Sequence, residues 1–295
     1  MRVTFSTSFR DASTEITRAA ERLATAEKQV SSGRRIDRAS EDPAGAARAI
    51  SDHAAIGTLD GYTGAADAAT SRLTVADSTL SDIIDKIIFA QSSLAGARGS
   101  VTQKQRDAAA TDLQGVAEAL FSDFNAQFRG AFLFAGTVAA APYTQAAGVV
   151  STYQGNTSVM SIDIADGRSV PVSIDGSAVA QGSDTTDLFT ALSAVITAVK
   201  AGDETGMGQG LDALGRALDR ATLAQTRVGA GLRTLDDTRA ELGQTKLDAG
   251  ARLSKNENVD LAAAIAQMTE SDTAYRAALA AFGKMGTVSL MDYLR

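Results

Sequence analysis

Apolar residues recur along this chain at helical spacing in long series, interrupted once by a stretch of strand period. Phe9, Ile16, Leu23 and Val30 stand seven residues apart, and Ala12, Ala19 and Ala26 follow the first three at a distance of three. This is a heptad seam with small residues at one of its two positions, and it predicts a long helix suited to coiled-coil packing. The seam ends at Ser32-Gly33, where glycine supplies a C-terminal stop. Helix is predicted to restart at Asp42-Pro43: the aspartate carboxylate accepts from free amides of the first turn, and proline lacks an N–H only where none is needed. Leu73, Leu80, Ile87 and Leu94 form a second series, accompanied by Ala76, Ile83, Ala90 and Ala97. After a break near Gly99, Leu113, Val116, Leu120, Phe124 and Phe128 continue the helical pattern.

The period then changes. From about Ala135 to Asp184 the chain is rich in Gly, Ser, Thr and Val; Met160, Ile162 and Ile164 alternate, as do Val170, Val172 and Ile174. Asp166-Gly167 between those runs is a hairpin signal. Helical spacing returns with Leu188, Leu192, Val195 and Val199, stops at Gly202-Asp203, and resumes through Leu214, Ala221, Val228, Leu235, Leu242 and Ala249. Last, Leu261, Ile265, Met268, Tyr275, Leu279 and Phe282 step by threes and fours, with Asp272 on the same seam; Leu290, Tyr293 and Leu294 extend its apolar side. The expected fold is mainly α with a small β-rich insertion: an elongated antiparallel helical bundle, or coiled-coil rod, whose N- and C-terminal helices pair. Three parts are expected: terminal helices over 1–40 and 255–295, a helical shaft over 41–134 and 186–254, and a β-rich outer domain over 135–185.

Composition narrows the chemistry. The 295 residues are 44% hydrophobic and 21% charged, ordinary for a globular chain, but only 5% aromatic. A formal charge of -7 has the wrong sign for a nucleic-acid partner or an anionic membrane surface. The start is polar after Arg2, with no apolar core of a cleavable signal peptide, and no apolar run approaches the ~20 residues that cross a bilayer. With no cysteine and one histidine, His53, the chain offers neither thiolate chemistry nor a histidine-ligated metal. No serine sits in a nucleophile signature, so no catalytic residue, metal ligand or cofactor is expected. GMGQG at 206–210 follows no strand and lacks the lysine of a phosphate loop, and reads as a flexible loop before a helix. GAG at 229–231 lies inside a heptad series and reads as close helix packing. Asp163, Asp166 and Asp175 do not follow the order of a calcium loop and read as turn residues. Asn156-Thr157-Ser158 matches a glycosylation sequon, a tripeptide common by chance.

Two features remain. Gly33, Arg34, Arg35, Arg38, Asp42 and Pro43 read as a joint: helix stop, basic link, helix start. In an acidic chain, its arginines are expected to pair with carboxylates of the same or a neighbouring subunit, with a merely solvated link as the alternative. The terminal seams form either an intramolecular core or an interface between copies. Two helices with alanine at so many contacts bury little as an isolated pair, which favours assembly. The interface then comprises Phe9, Ile16, Leu23 and Val30 with Leu261, Ile265, Met268, Tyr275, Leu279, Phe282, Leu290, Tyr293 and Leu294.

SSGRRIDRASEDPAGAA after the first helix resembles the N-terminal signature of the flagellin family, and SLMDYLR resembles that family's closing residues. MRVTFST at the start, Glu-Asp-Pro at 41–43, GAFLFAGT at 130–137, YQGNTS at 153–158 and RVGAGLRTLDD at 227–237 are similar to the branch that joins hook to filament, more than to filament flagellin. Flagellins usually carry Asp-Asp-Ala-Ala-Gly where this chain has Glu-Asp-Pro-Ala-Gly. The resemblance implies an extracellular structural protein of the bacterial flagellum, exported through the flagellar type III channel without a cleavable signal. It also implies its partners: copies of itself in a ring, the first hook-associated protein, flagellin and an export chaperone that grips the C-terminal amphipathic stretch. A filament flagellin is the alternative, and a secreted needle- or translocator-type coiled-coil protein a third reading.

Overall fold

The computed structural model describes residues 5–293 except Ala147, with side chains over residues 9–284. In chain order the elements are helices α1 (Phe5–Ser32), α2 (Pro43–Gly96) and α3 (Gln103–Phe124), then strands β1 (Gln127–Phe128), β2 (Ala131–Phe132), β3 (Gln145–Ala146), β4 (Val149–Val150), β5 (Ser161–Ala165) and β6 (Arg168–Pro171), and finally helices α4 (Gly176–Ala180), α5 (Leu188–Ala201), α6 (Glu204–Glu257) and α7 (Leu261–Tyr293). The fold is thus mainly helical, and its strands form three separate antiparallel hairpins: β1-β2, β3-β4 and β5-β6. The chain divides into two compact units, Met1–Thr58 with Gln244–Arg295, and Leu59–Gly243.

The second unit holds the hydrophobic core. Leu73, Leu80, Ile83, Ile87 and Leu94 of α2 are buried together with Leu113 and Leu120 of α3, Leu192 and Val195 of α5, and Leu214 and Leu235 of α6. Among the described residues this cluster runs from Ala66 to Leu235, within the second unit. Aromatic rings close its β-rich side: Tyr143 and Phe189 meet edge-on at 4.7 Å, and Phe124 and Phe189 at 5.6 Å. Such edge contacts add to the area that the rings bury.

Arginines from the helices carry the insertion. Arg72 of α2, itself buried, donates from Nε to the Val172 carbonyl at 2.7 Å and from Nη2 to the Phe132 carbonyl at 3.0 Å. Arg220 of α6 donates to the carbonyls of Val179 and Ala180, both at 3.1 Å, and pairs with Asp184 at 2.6 Å. In β5-β6, Ile162 faces Val170 and the turn is Asp166-Gly167, with Gly167 at φ 67°.

Two expectations fail, each for a local reason. Phe128 does not continue the third helix. Asn125 closes α3, and Arg129 and Gly130, both at positive φ, turn Phe128 back as a strand against Ala131. GMGQG is not a loop but the first turns of α6. There the glycines allow close approach: a Cβ on Gly210 would lie 2.2 Å from Cγ2 of Val195. Gly231 in the later GAG also faces a neighbour, at 3.1 Å from Leu73, whereas Gly229 faces open space.

Candidate assembly interface

In the first unit, α1 and α7 lie side by side. The Phe9 and Phe282 rings are 4.8 Å apart, and at the other end the Val259 amide donates to the Gly33 carbonyl at 3.0 Å. The pair is therefore antiparallel. Its deepest residues are small: Ala19, Ala26, Ala264 and Ser271 are buried, while Ile16, Leu23, Val30, Met268, Tyr275 and Phe282 are half-buried. Alanine at heptad spacing on both helices lets the backbones approach, so larger neighbours sit at the flanks of the seam instead of its floor.

Consequently an apolar stripe is left uncovered. Leu261, Ile265 and Leu279 are 52%, 48% and 43% exposed, and Phe9 is 48% exposed despite its ring contact. At 100° per residue, Leu261, Ile265 and Leu279 share a line on α7 rotated away from the line of Ala264, Ser271 and Ala278 that meets α1. The side chains of Leu290 and Tyr293 are not described, and Leu294 lies outside the described residues. Of the residues expected in the interface, the structure gathers Ile16, Leu23, Val30, Met268, Tyr275 and Phe282 between α1 and α7. It leaves Leu261, Ile265 and Leu279 facing outward. Sequence reasoning missed Ala264 and Ser271 because it followed the heavy apolar side chains; the seven-residue step from Ala264 to Ser271 to Ala278 was the available signal.

The joint is an ordered loop. Gly33 follows α1 at φ 69°, its amide closing the helix on the Gln29 carbonyl at 3.0 Å. Asp42 caps α2 through Oδ1, which accepts from the Gly45 amide at 2.9 Å, and Pro43 is the first helical residue. Oδ2 of Asp42 takes a bond from Arg35 at 3.1 Å. The Gly45 amide, then Arg35, hold the Asp42 carboxyl below its ordinary pKa of 3.8. Glu41 folds back to accept from the Asp37 and Arg38 amides at 3.0 and 3.2 Å, and those bonds hold its carboxyl below 4.5. Arg38 itself stays exposed. Ile36 is buried over Gly45, where a Cβ would come within 2.6 Å of the Ile36 Cδ1. Arg34 reaches across the chain to Glu257 at 3.0 Å and pairs through its backbone with Asn258 as an isolated bridge. Glu257 and Asn258 carry no local sign of being joint residues, since they lie more than two hundred positions from Arg34 along the chain.

Among the described residues, no helix is long and apolar enough to cross a membrane, and no group of three or more His, Asp or Glu side chains is placed to hold a metal ion. Residues 7–139 match the bacterial flagellin N-terminal helical region. The chain is 26% identical over 290 residues to flagellar hook-associated protein 3 of Escherichia coli (strain K12), covering 90% of each chain. It is 30% identical over 188 residues to flagellar hook-associated protein 3 of Salmonella typhimurium, covering 59% of this chain and 58% of that protein. In fold it is similar to the flagellar junction protein FlgL from Legionella pneumophila: TM-score 0.61 at 13% identity, over 72% of this chain and all of the other. The chain is thus similar to the flagellin family over residues 7–139 and, along most of its length, to flagellar hook-associated protein 3.

Proposed function

We propose that this chain is a structural subunit of the bacterial flagellum that forms the junction between hook and filament. The near full-length likeness to flagellar hook-associated protein 3 carries this reading. The first unit supplies its physical basis: among its described residues, the buried hydrophobics other than Ile36 are alanines, while Leu261, Ile265, Leu279 and Phe9 stay exposed. A helix pair with so thin a seam is marginal alone and gains by burying that stripe against neighbours.

In this reading the terminal parts, residues 1–40 and 255–295, carry helices α1 and α7, which are mobile in the free subunit and order on assembly as an inner coiled-coil tube. Residues 41–134 and 186–254 form the shaft, and residues 135–185 the outer part. The partners are copies of this chain in a ring, the first hook-associated protein on one side and flagellin on the other. Before assembly an export chaperone holds residues 261–294, and the chain leaves through the flagellar type III channel. Catalysis and cofactors have no part in this role.

The test is electron microscopy of flagella from a strain lacking this chain. Hooks without filaments, with flagellin shed to the medium, are expected. Normal filaments would overturn the reading, and a chain as abundant as the filament subunit would point to a flagellin.

A further inference from the structure

Glu257, the last residue of α6, sits at the centre of the joint with its side chain only 12% exposed. Its Oε1 lies 3.0 Å from Arg34 Nη1 in the link after α1, and its Oε2 lies 3.0 Å from His53 Nε2 on α2. Its own carbonyl accepts from the Arg35 amide at 2.7 Å. Arg35 in turn donates from Nη2 to the Asn256 carbonyl at 3.0 Å as well as to Asp42. Two residues further, the Val259 amide donates to Gly33, so the link before α7 is stitched to the link after α1 on both sides of Glu257. A carboxylate this shielded, holding two partners, binds more firmly than an exposed ion pair.

We propose that Glu257 is a latch that couples the two chain ends. While its carboxylate holds Arg34 and His53, the link after α1 and the link before α7 are fixed as one piece to the ends of α2 and α6. Motion of the terminal helices stops at this clasp, and neither link comes free without the other.

Hydrogen exchange on the full-length free subunit tests the coupling. In Glu257→Gln, the amides of Arg35 and Val259 should both exchange about tenfold faster, since hydrogen bonds to a charged group are lost at one point. Amides of the second unit, such as Leu80 and Leu214, should be unchanged. Asp52→Asn takes the charge out of the nearby 3.4 Å pair with Arg252 while Arg34, His53 and Glu257 stay as they are, and should leave Arg35 and Val259 unchanged. Unchanged exchange in Glu257→Gln, acceleration of one link alone, acceleration reaching Leu80, or an equal effect from Asp52→Asn would each overturn the proposal.

Discussion

The guanidinium of Arg72 is hydrogen-bonded to the carbonyl of Val172 at 2.7 Å, from the interior of a long helix to the strand-rich segment a hundred residues later. A second bond reaches Phe132, so one side chain ties α2 to two separate parts of the insertion. Arg72→Ala leaves two carbonyls to find other donors and should destabilise the second unit by about 2–4 kcal/mol. Arg72→Lys retains the charge but not the forked geometry and should recover only part of that. Chemical denaturation monitored at the β5-β6 hairpin reads both variants.

Glycines in α6 give a paired expectation of opposite sign. Gly210→Ala forces a methyl against Val195 and should destabilise by about 1–3 kcal/mol. Gly229→Ala faces open space within a helix and should stabilise by roughly 0.5–1 kcal/mol. Thermal melts of the two variants separate packing from backbone entropy.

How far could such details be read from residues alone? The heptads from Phe9 to Val30 and from Leu73 to Leu94 marked their helices because a seven-residue apolar step keeps one face of a helix apolar. They did not give depth. Ala19 and Ala26 lie under the seam while Phe9 stays half in solvent, since depth depends on how closely the opposing backbone comes. Phe128 kept helical spacing from Phe124, yet the Arg129-Gly130 turn overrode it. In the joint, Gly33, Asp42 and Pro43 were legible as local stop and start signals. Glu257 and His53 were not, because no sequence period links residues about two hundred positions apart.

Core and stripe should respond differently to truncation. Leu80→Ala, at a fully buried position, should cost about 2–5 kcal/mol of stability. Leu279→Ala, on the uncovered line of α7, should change the stability of the free subunit by less than about 0.5 kcal/mol yet impair incorporation into flagella. Melting curves together with an assembly assay check both halves. A large loss of monomer stability in Leu279→Ala would place that residue in an intramolecular core.

Acid should loosen the joint. Glu41 and Asp42 both have folded-state pKa values below their ordinary 4.5 and 3.8. Their contribution is therefore complete above those ordinary values, and it is lost as pH falls through the lower folded-state values. Amide shifts of Asp37, Arg38 and Gly45 should move in that acid range, and Glu41→Gln should abolish the change at Asp37 and Arg38. Movement near neutrality instead would contradict the carboxylate bonds.

Alanine has no rotamers to freeze, so closing or opening the seam between α1 and α7 changes side-chain entropy at its floor scarcely at all. A zipper of leucines would hold the two ends more tightly and would also resist giving them up. In the proposed assembly, the pairing of Ala19 and Ala26 with Ala264 and Ser271 suits a grip that can be exchanged: each helix would leave its own partner for a neighbour's with little to surrender.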